Sequence, residues 1–262
     1  MSYAQFGTIE ATDYNNLVGG NPVTTSGRLN TVWATGGTNA GYGQSAEANV
    51  SVGNTVTASN WANLVNTTAN IASHQGTSIT SVTAPATGGV ITFLSAIPTN
   101  LTTVYNSRLN AASQGSTTAN SVAAGTTWSS IATFTHTVTF PSGDAARYFF
   151  NAGGQLKVTC SHANNAAGIN LLLNNLASNI GTVVLSSPTS GAVTVSGTSY
   201  NGVTKVGGGG NSPTISTNSG YYALGTANTT LFTQTASTGP SGYLSTFIRV
   251  IARTNGTQGS NG

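Results

Sequence analysis

Apolar positions follow two regimes along the chain. In residues 1–115 they recur in short bursts at helical spacing. Tyr14, Leu17 and Val18 are separated by three and one behind Thr12 and Asp13, residue types that cap helices, and Gly19-Gly20 end the run. Ser26 is placed to cap a second short turn with Leu29, Val32 and Trp33, stopped by Gly36 and Gly37. Residues 44–56 alternate around Val50, Val52 and Val56 and read as a strand pair or an extended arm. Ser59 heads a longer helix with Trp61, Leu64, Val65, Thr68 and Ala72 on one face, closed by His74 and Gly76. Behind Pro98, a third stripe of Leu101, Val104, Tyr105, Leu109 and Ala112 runs to Gly115.

Beyond Gly115 the period shortens to two. Thr133 to Phe140 alternates strictly, with Phe134, His136, Val138 and Phe140 facing one way and four threonines the other, the clearest strand in the sequence. Pro141, Ser142 and Gly143 end it. Asp144 is expected to cap a helical turn carrying Arg147, Tyr148, Phe149 and Phe150. Gly153-Gly154 then permits a left-handed exit into a strand from Leu156 to Cys160. Ile169, Leu172, Leu173, Leu176 and Ile180 predict one strong helix ending at Gly181, lying across a sheet face.

Further strands are expected at 183–187, 192–196, 199–206, 221–224, 229–235 and 243–252, the last being the longest and most apolar and therefore central. The four glycines at 207–210 read as a flexible loop tip or a hairpin connection, and the tail from Thr254 as frayed. The pattern predicts an α+β chain, mainly β. A helix-rich N-terminal module spans 1–115, and an antiparallel β-sandwich-like domain with one packed helix spans 116–262.

Only 4% of the 262 residues are charged, against about a quarter in ordinary soluble domains. Aromatic residues recur throughout, so the chain reads as ordered. A Thr/Ser/Asn surface suits sheets and chains that live inside assemblies, and few charges oppose self-association; a homo-oligomer is expected. The seven cations and four anions are scattered, which argues against a nucleic-acid partner. No apolar run approaches the ~18 residues of a membrane span. The N-terminus shows no secretory pattern, so synthesis in a cytoplasm and release by lysis are expected. Cys160 alternates with Leu156 and Val158 and is expected to be buried.

Catalytic chemistry has little to work with. Glu10, Asp13, Glu47 and Asp144 are too dispersed for a paired-carboxylate hydrolase, and His74, His136 and His162 lack metal-ligand spacing. The glycine pairs form no phosphate-binding motif, so no cofactor and no metal is expected. Arg147 can pair with Asp144 or stack on a neighbouring aromatic at a buried corner, or equally stand as a solvated arginine on a turn. Tyr221 and Tyr222 suit a glycan-facing platform, although strand aromatics more often serve the core or a subunit contact.

Two groups of residues carry a resemblance. ARYFFNAGGQLKV at 146–158 resembles a motif of structural proteins of tailed bacteriophages. ATDYNNLVGG, GYGQ at 41–44 and the W..L helix ending in HQG at 74–76 are similar to a cyanophage-like virion module. The resemblance covers most of residues 1–160 in order. It implies a structural virion protein with no enzymatic activity and leaves its place in the virion open; the charge-poor, Gly/Ser/Thr/Asn-rich composition favours a tail fibre or baseplate-peripheral appendage, with a head-decoration or neck component as the alternative and a tailspike depolymerase as a further one. On this reading the partners are other virion proteins, the oligomer is a homotrimer or another symmetric ring with Trp33 or Trp61 as candidate docking anchors, and the polar, aromatic-dotted surface meets a bacterial envelope glycan or neighbouring virion proteins. The corner of Asp144, Arg147, Tyr148, Phe149, Phe150, Gly153 and Gly154 is expected to be structural.

Overall fold

The computed structural model of the chain describes residues 10–19, 28–37, 39–89, 91–92, 95–123, 130–163, 167–188, 191–216 and 220–255; the predicted Ser26 cap and the tail beyond residue 255 fall outside them. Helix α1 (Ala11–Val18) begins earlier than its apolar spacing suggested. Glu10 is the N-cap, and Asp13 reaches back to the Glu10 N–H at 3.2 Å in a capping box, so Thr12 and Asp13 lie inside the helix. Helix α2 (Leu29–Trp33) is a little over one turn. Helix α3 (Ala58–Gln75) is capped by Thr57, not Ser59: Thr57 Oγ1 accepts from Asn60 N at 3.2 Å, and Asn60 Oδ1 accepts from Thr57 N at 2.9 Å. It closes at Gly76, left-handed at φ 68°.

Helix α4 (Ala96–Asn106) starts before Pro98, which sits in the first turn, where a missing N–H leaves no helical bond unmade. It ends before Leu109 and Ala112, which the sequence had placed on its stripe. The buried faces of these helices meet in one cluster around Tyr14, Leu17, Leu29, Val32, Trp61, Leu64, Ile71, Ile97, Leu101 and Val104.

Asparagine side chains hold extended backbone against these helices where no sheet does. Residues 44–51 are extended without strand pairing. From α1, Asn15 donates to Val50 O and accepts from Val50 N, both at 2.8 Å. From α2, Asn30 makes the same reciprocal pair with Glu47 at 2.9 Å. Asn100 on α4 does so with Thr80 at 2.9 and 3.0 Å. A primary amide presents one donor and one acceptor as a peptide group does, so each asparagine replaces one rung of a ladder.

The second half contains α5 (Gly143–Asn151), β1 (Leu156–Thr159), α6 (Ile169–Asn179), β2 (Thr182–Leu185), β3 (Val193–Val195), β4 (Thr198–Tyr200), β5 (Val203–Val206), β6 (Thr214–Ile215), β7 (Thr229–Thr235) and β8 (Phe247–Ala252). All sheet pairs are antiparallel, in the orders β1-β2-β5, β3-β4 and β6-β7-β8. On β2, Val183 and Leu185 pack with Leu231, Phe232, Ile248 and Val250 of the third sheet. Val184 turns the other way, against Val193, Val195, Tyr200 and Ala111. Being covered on both faces explains why β2 is a continuous apolar run and not an alternating one. Helix α6 lays Leu172 and Leu176 against Ala236 and Ile248, and Gly181 turns its exit at φ 60°. The chain is thus α+β with a C-terminal sheet region.

Several expectations fail here. Residues 133–140 are extended but have no strand partner among the described residues, because alternation sets backbone conformation and cannot supply a neighbouring strand. The predicted strand at 199–206 splits at Asn201-Gly202 between two sheets. Residues 221–224 form a 3-10 turn, Tyr221–Ala223, instead of a strand. β8 is shorter than predicted and lies at a sheet edge, its apolar residues facing alternately in and out. Cys160 lies past the end of β1 and is exposed, since β1 is an outer strand. The glycine run is exposed but hydrogen-bonded at Gly209. Gly209 N donates to Asn179 O at 3.0 Å, and Gly209 O accepts from Lys205 Nζ at 2.9 Å and Gln234 Nε2 at 2.7 Å.

Candidate functional site

The densest gathering of polar and aromatic chemistry lies where α5 meets the 34–44 segment. Ser142 caps α5, its Oγ accepting from Ala145 N at 3.0 Å; Asp144, predicted as the cap, occupies the first helical turn instead. There it accepts from Arg147 Nε at 3.2 Å and Nη2 at 3.1 Å. Arg147 also lies over the Tyr148 ring at 4.5 Å, so both expected partners are used. Its Nη1 reaches much further along the chain, to Thr35 O at 2.9 Å and Ala40 O at 2.8 Å. Asn151, at the end of α5, donates to Gly41 O at 3.0 Å and accepts from the Tyr222 hydroxyl.

These bonds complete a loop that follows α2. The N–H groups of Tyr42, Gly43 and Gln44 donate to Val32 O, Ala34 O and Trp33 O at 2.8, 2.9 and 3.0 Å, satisfying carbonyls a short helix leaves open. The loop's own inward carbonyls at 35, 40 and 41 go to Arg147 and Asn151. Gly43, at φ 71°, lies flat beneath Tyr148, and a side chain there would overlap the ring. Tyr42 donates to Arg108 O at 2.7 Å, accepts from Gln75 Nε2 at 2.8 Å, and meets His74 edge-on at 5.1 Å. Tyr14 meets Trp61 edge-on at 5.5 Å.

The motifs singled out in the sequence therefore pair with one another in space. Tyr14 and Asn15 belong to the DYN stretch, Trp61 to the W..L helix, Tyr42 to GYGQ, His74 and Gln75 to HQG, and Arg147, Tyr148 and Asn151 to ARYFFNAGG. Asn151, Tyr42, Gln75 and Gly43 do as much here as the residues predicted for the corner. Their signal was indirect: short polar landmarks spaced far apart, with no local reason to be polar.

An aromatic row extends from α5. Phe140 lies 5.4 Å from Phe149, Phe149 is edge-on to Phe150 at 5.1 Å, and Phe150 stacks on Tyr221 at 4.0 Å, with Tyr222 5.2 Å beyond. Of the three aromatics of the corner, Phe150 fills the core, while Tyr148 is half-buried and Phe149 is exposed. Gly153, at φ 82°, makes the left-handed exit, and a Cβ there would come within 2.7 Å of Ala111 Cβ. Gly154 needs no positive φ; a Cβ there would overlap the Phe149 carbonyl oxygen.

Burial narrows two of the readings. Tyr221 and Tyr222 are buried against Phe150 and Asn151 and cannot present a glycan platform. Trp61 is 1% exposed, in the centre of the helical core, and cannot anchor docking. Trp33 is half-buried against the same core.

Burial pushes the hydroxyls of Tyr14 and Tyr42 up to about 12, and raises Tyr221 and Tyr222 too, so these groups stay protonated hydrogen-bond partners at neutral pH. Among the described residues no three His, Cys, Asp or Glu side chains come together as a metal site, and no helix is long and apolar enough to cross a membrane. The landmark side chains thus serve as a framework that fixes α5 onto the helical half. Comparison of the chain with family models, curated proteins and solved structures gives no match.

Proposed function

We propose that this chain is a non-enzymatic structural protein of a tailed-bacteriophage virion, a self-associating part of a tail fibre or baseplate-peripheral appendage. The helical half attaches to other virion proteins, and the sheet-containing half projects. One observation supports this reading above others: the motif residues that bear chemistry are engaged with backbone carbonyls and rings inside the chain. Arg147, Asn151, Tyr42 and Gln75 all point inward. What the molecule turns outward is charge-poor and includes exposed Ile131, Phe134, Val138, Tyr243, Leu244, Phe247 and Ile251. Scattered exposed apolar residues are ordinary, but an alternating row of them on extended backbone suits association. With Tyr221 and Tyr222 buried, no glycan site is assigned to them.

Electron microscopy of phage particles carrying a tagged copy of the chain tests the location, and label on the tail is the expected result. Label on the head or neck would replace the appendage with a decoration role. Release of reducing sugar from host envelope polysaccharide by the purified protein would overturn the non-enzymatic reading.

A further inference from the structure

Residues 131–140 have a strand's pattern without a strand's partner. Ala132, Phe134, His136, Val138 and Phe140 share one face of the extended backbone, and Thr133, Thr135, Thr137 and Thr139 the other. Among the described residues, no backbone hydrogen bond joins 131–140 to the rest of the chain. Ile131, Phe134 and Val138 are 74%, 53% and 49% exposed. At its C-terminal end the segment is fixed, because Phe140 sits on Phe149 and Phe150. It is therefore an arm with an anchored base.

The same chain carries the complementary half. β8 is the outer strand of β6-β7-β8, and among the described residues no backbone hydrogen bond reaches its outer edge. Exposed edges in natural sheets are blunted by Lys, Pro, bulges or a covering segment. β8 has neither Lys nor Pro, and the irregularity in its pairing, at Leu231, lies on β7. Its one charge, Arg249, is folded over the Phe247 ring at 4.7 Å. The outer strands of the first sheet, β1 and β5, are shorter and each carries a lysine: Lys157, reaching to Gln114 at 3.1 Å, and Lys205.

Resting on the reading of the chain as a self-associating protein, we propose that residues 131–140 of one copy add as a strand to the β8 edge of a second copy. Ten extended residues reach about 34 Å, more than enough to run along all of β8. Phe134 and Val138 then extend the half-buried layer of Ile248, Val250 and Ala252, and the threonine face lies beside Phe247 and Ile251. Arm and edge differ in charge by Arg249 alone, because the arm contains no Asp, Glu, Lys or Arg to repel a neighbour. Main-chain bonds supply affinity and the alternate side chains set the register. Donor and acceptor are different surfaces, so the contact is head-to-tail, and copies close into a ring where the rotation permits.

The test uses the full chain and two variants. Thr135→Pro with Thr137→Pro removes N–H donors from an arm whose backbone makes no hydrogen bond to its own chain among the described residues. Phe247→Lys with Ile251→Lys blunts the edge at exposed positions. In sedimentation velocity the unaltered protein is expected as an oligomer and each variant as a monomer with unchanged circular dichroism. A one-to-one mixture of the variants is expected to give a heterodimer, since one copy keeps its edge and the other its arm. An arm variant that stays oligomeric would overturn the exchange while leaving self-association intact. An edge variant that stays oligomeric would overturn β8 as the acceptor. An unaltered protein monomeric at every concentration would instead sink the self-association on which the proposal rests.

Discussion

Replacing Arg147 with Met measures what the corner contributes. The Arg147 side chain is 7% exposed and Asp144 68% exposed, so their ion pair is wet on one side and contributes about 0–1 kcal/mol. The larger contribution lies on the buried side. Removing the guanidinium leaves Thr35 O and Ala40 O without their donor beneath α5, and each orphaned carbonyl costs about 1–3 kcal/mol. Arg147→Met should therefore destabilise the chain by about 3–5 kcal/mol, while Asp144→Asn should cost less than about 1 kcal/mol. Arg147→Lys should recover little, since one ammonium does not reproduce a fork that reaches two carbonyls and a carboxylate. Urea denaturation of the variants, followed by circular dichroism, gives the comparison. If Asp144→Asn cost as much as Arg147→Met, or Arg147→Met cost under about 1 kcal/mol, the corner would be held by the ion pair or by packing, and the carbonyl account would be wrong.

Gly43→Ala places a methyl group against the Tyr148 ring at a positive φ, and should cost about 2–4 kcal/mol in the same denaturation experiment. Asn100→Ala removes one reciprocal clamp. It should cost about 1–3 kcal/mol and speed amide exchange at Thr80 far more than at Val50, and uniform acceleration would count against a local clamp. Alkaline pH should separate the buried tyrosines from ordinary ones. An unfolded tyrosine ionises near 10, whereas Tyr14 and Tyr42 hold their protons to about 12. Between these values the unfolded state binds fewer protons than the folded one, so stability is full below pH 10 and falls as pH rises towards 12. Melting temperature across that range should show the fall, and Tyr42→Phe should flatten it.

Legibility varied with how local each decision was. Most helix stripes were readable, because the apolar residues of α3 repeat at a spacing that only a helix can place on one face. Helix starts were read two or three residues late, because Glu10, Thr57 and Ser142 are followed by other capping residue types, and only the backbone shows which oxygen meets an N–H. The Asp144–Arg147 pair was visible from its spacing of three. The bonds from Arg147 to Thr35 and Ala40, and from Asn151 to Gly41, were not, since more than a hundred residues separate the partners. Nor does any local pattern distinguish the asparagines that clamp extended backbone from those that merely face water.

The sequence by itself determined periodicity and turn positions. These depend on residue type and near spacing, through sterics and solvation that act within a few residues. Only the tertiary structure decided which strands have neighbours, which tyrosines and tryptophans are buried, and where the motifs meet. Strand pairing and burial are properties of two segments at once. The alternation at 133–140 predicted a strand and the long apolar run at 243–252 a central one, yet among the described residues the first has no strand partner and the second ends in an open edge, because an extended segment cannot specify its own partner.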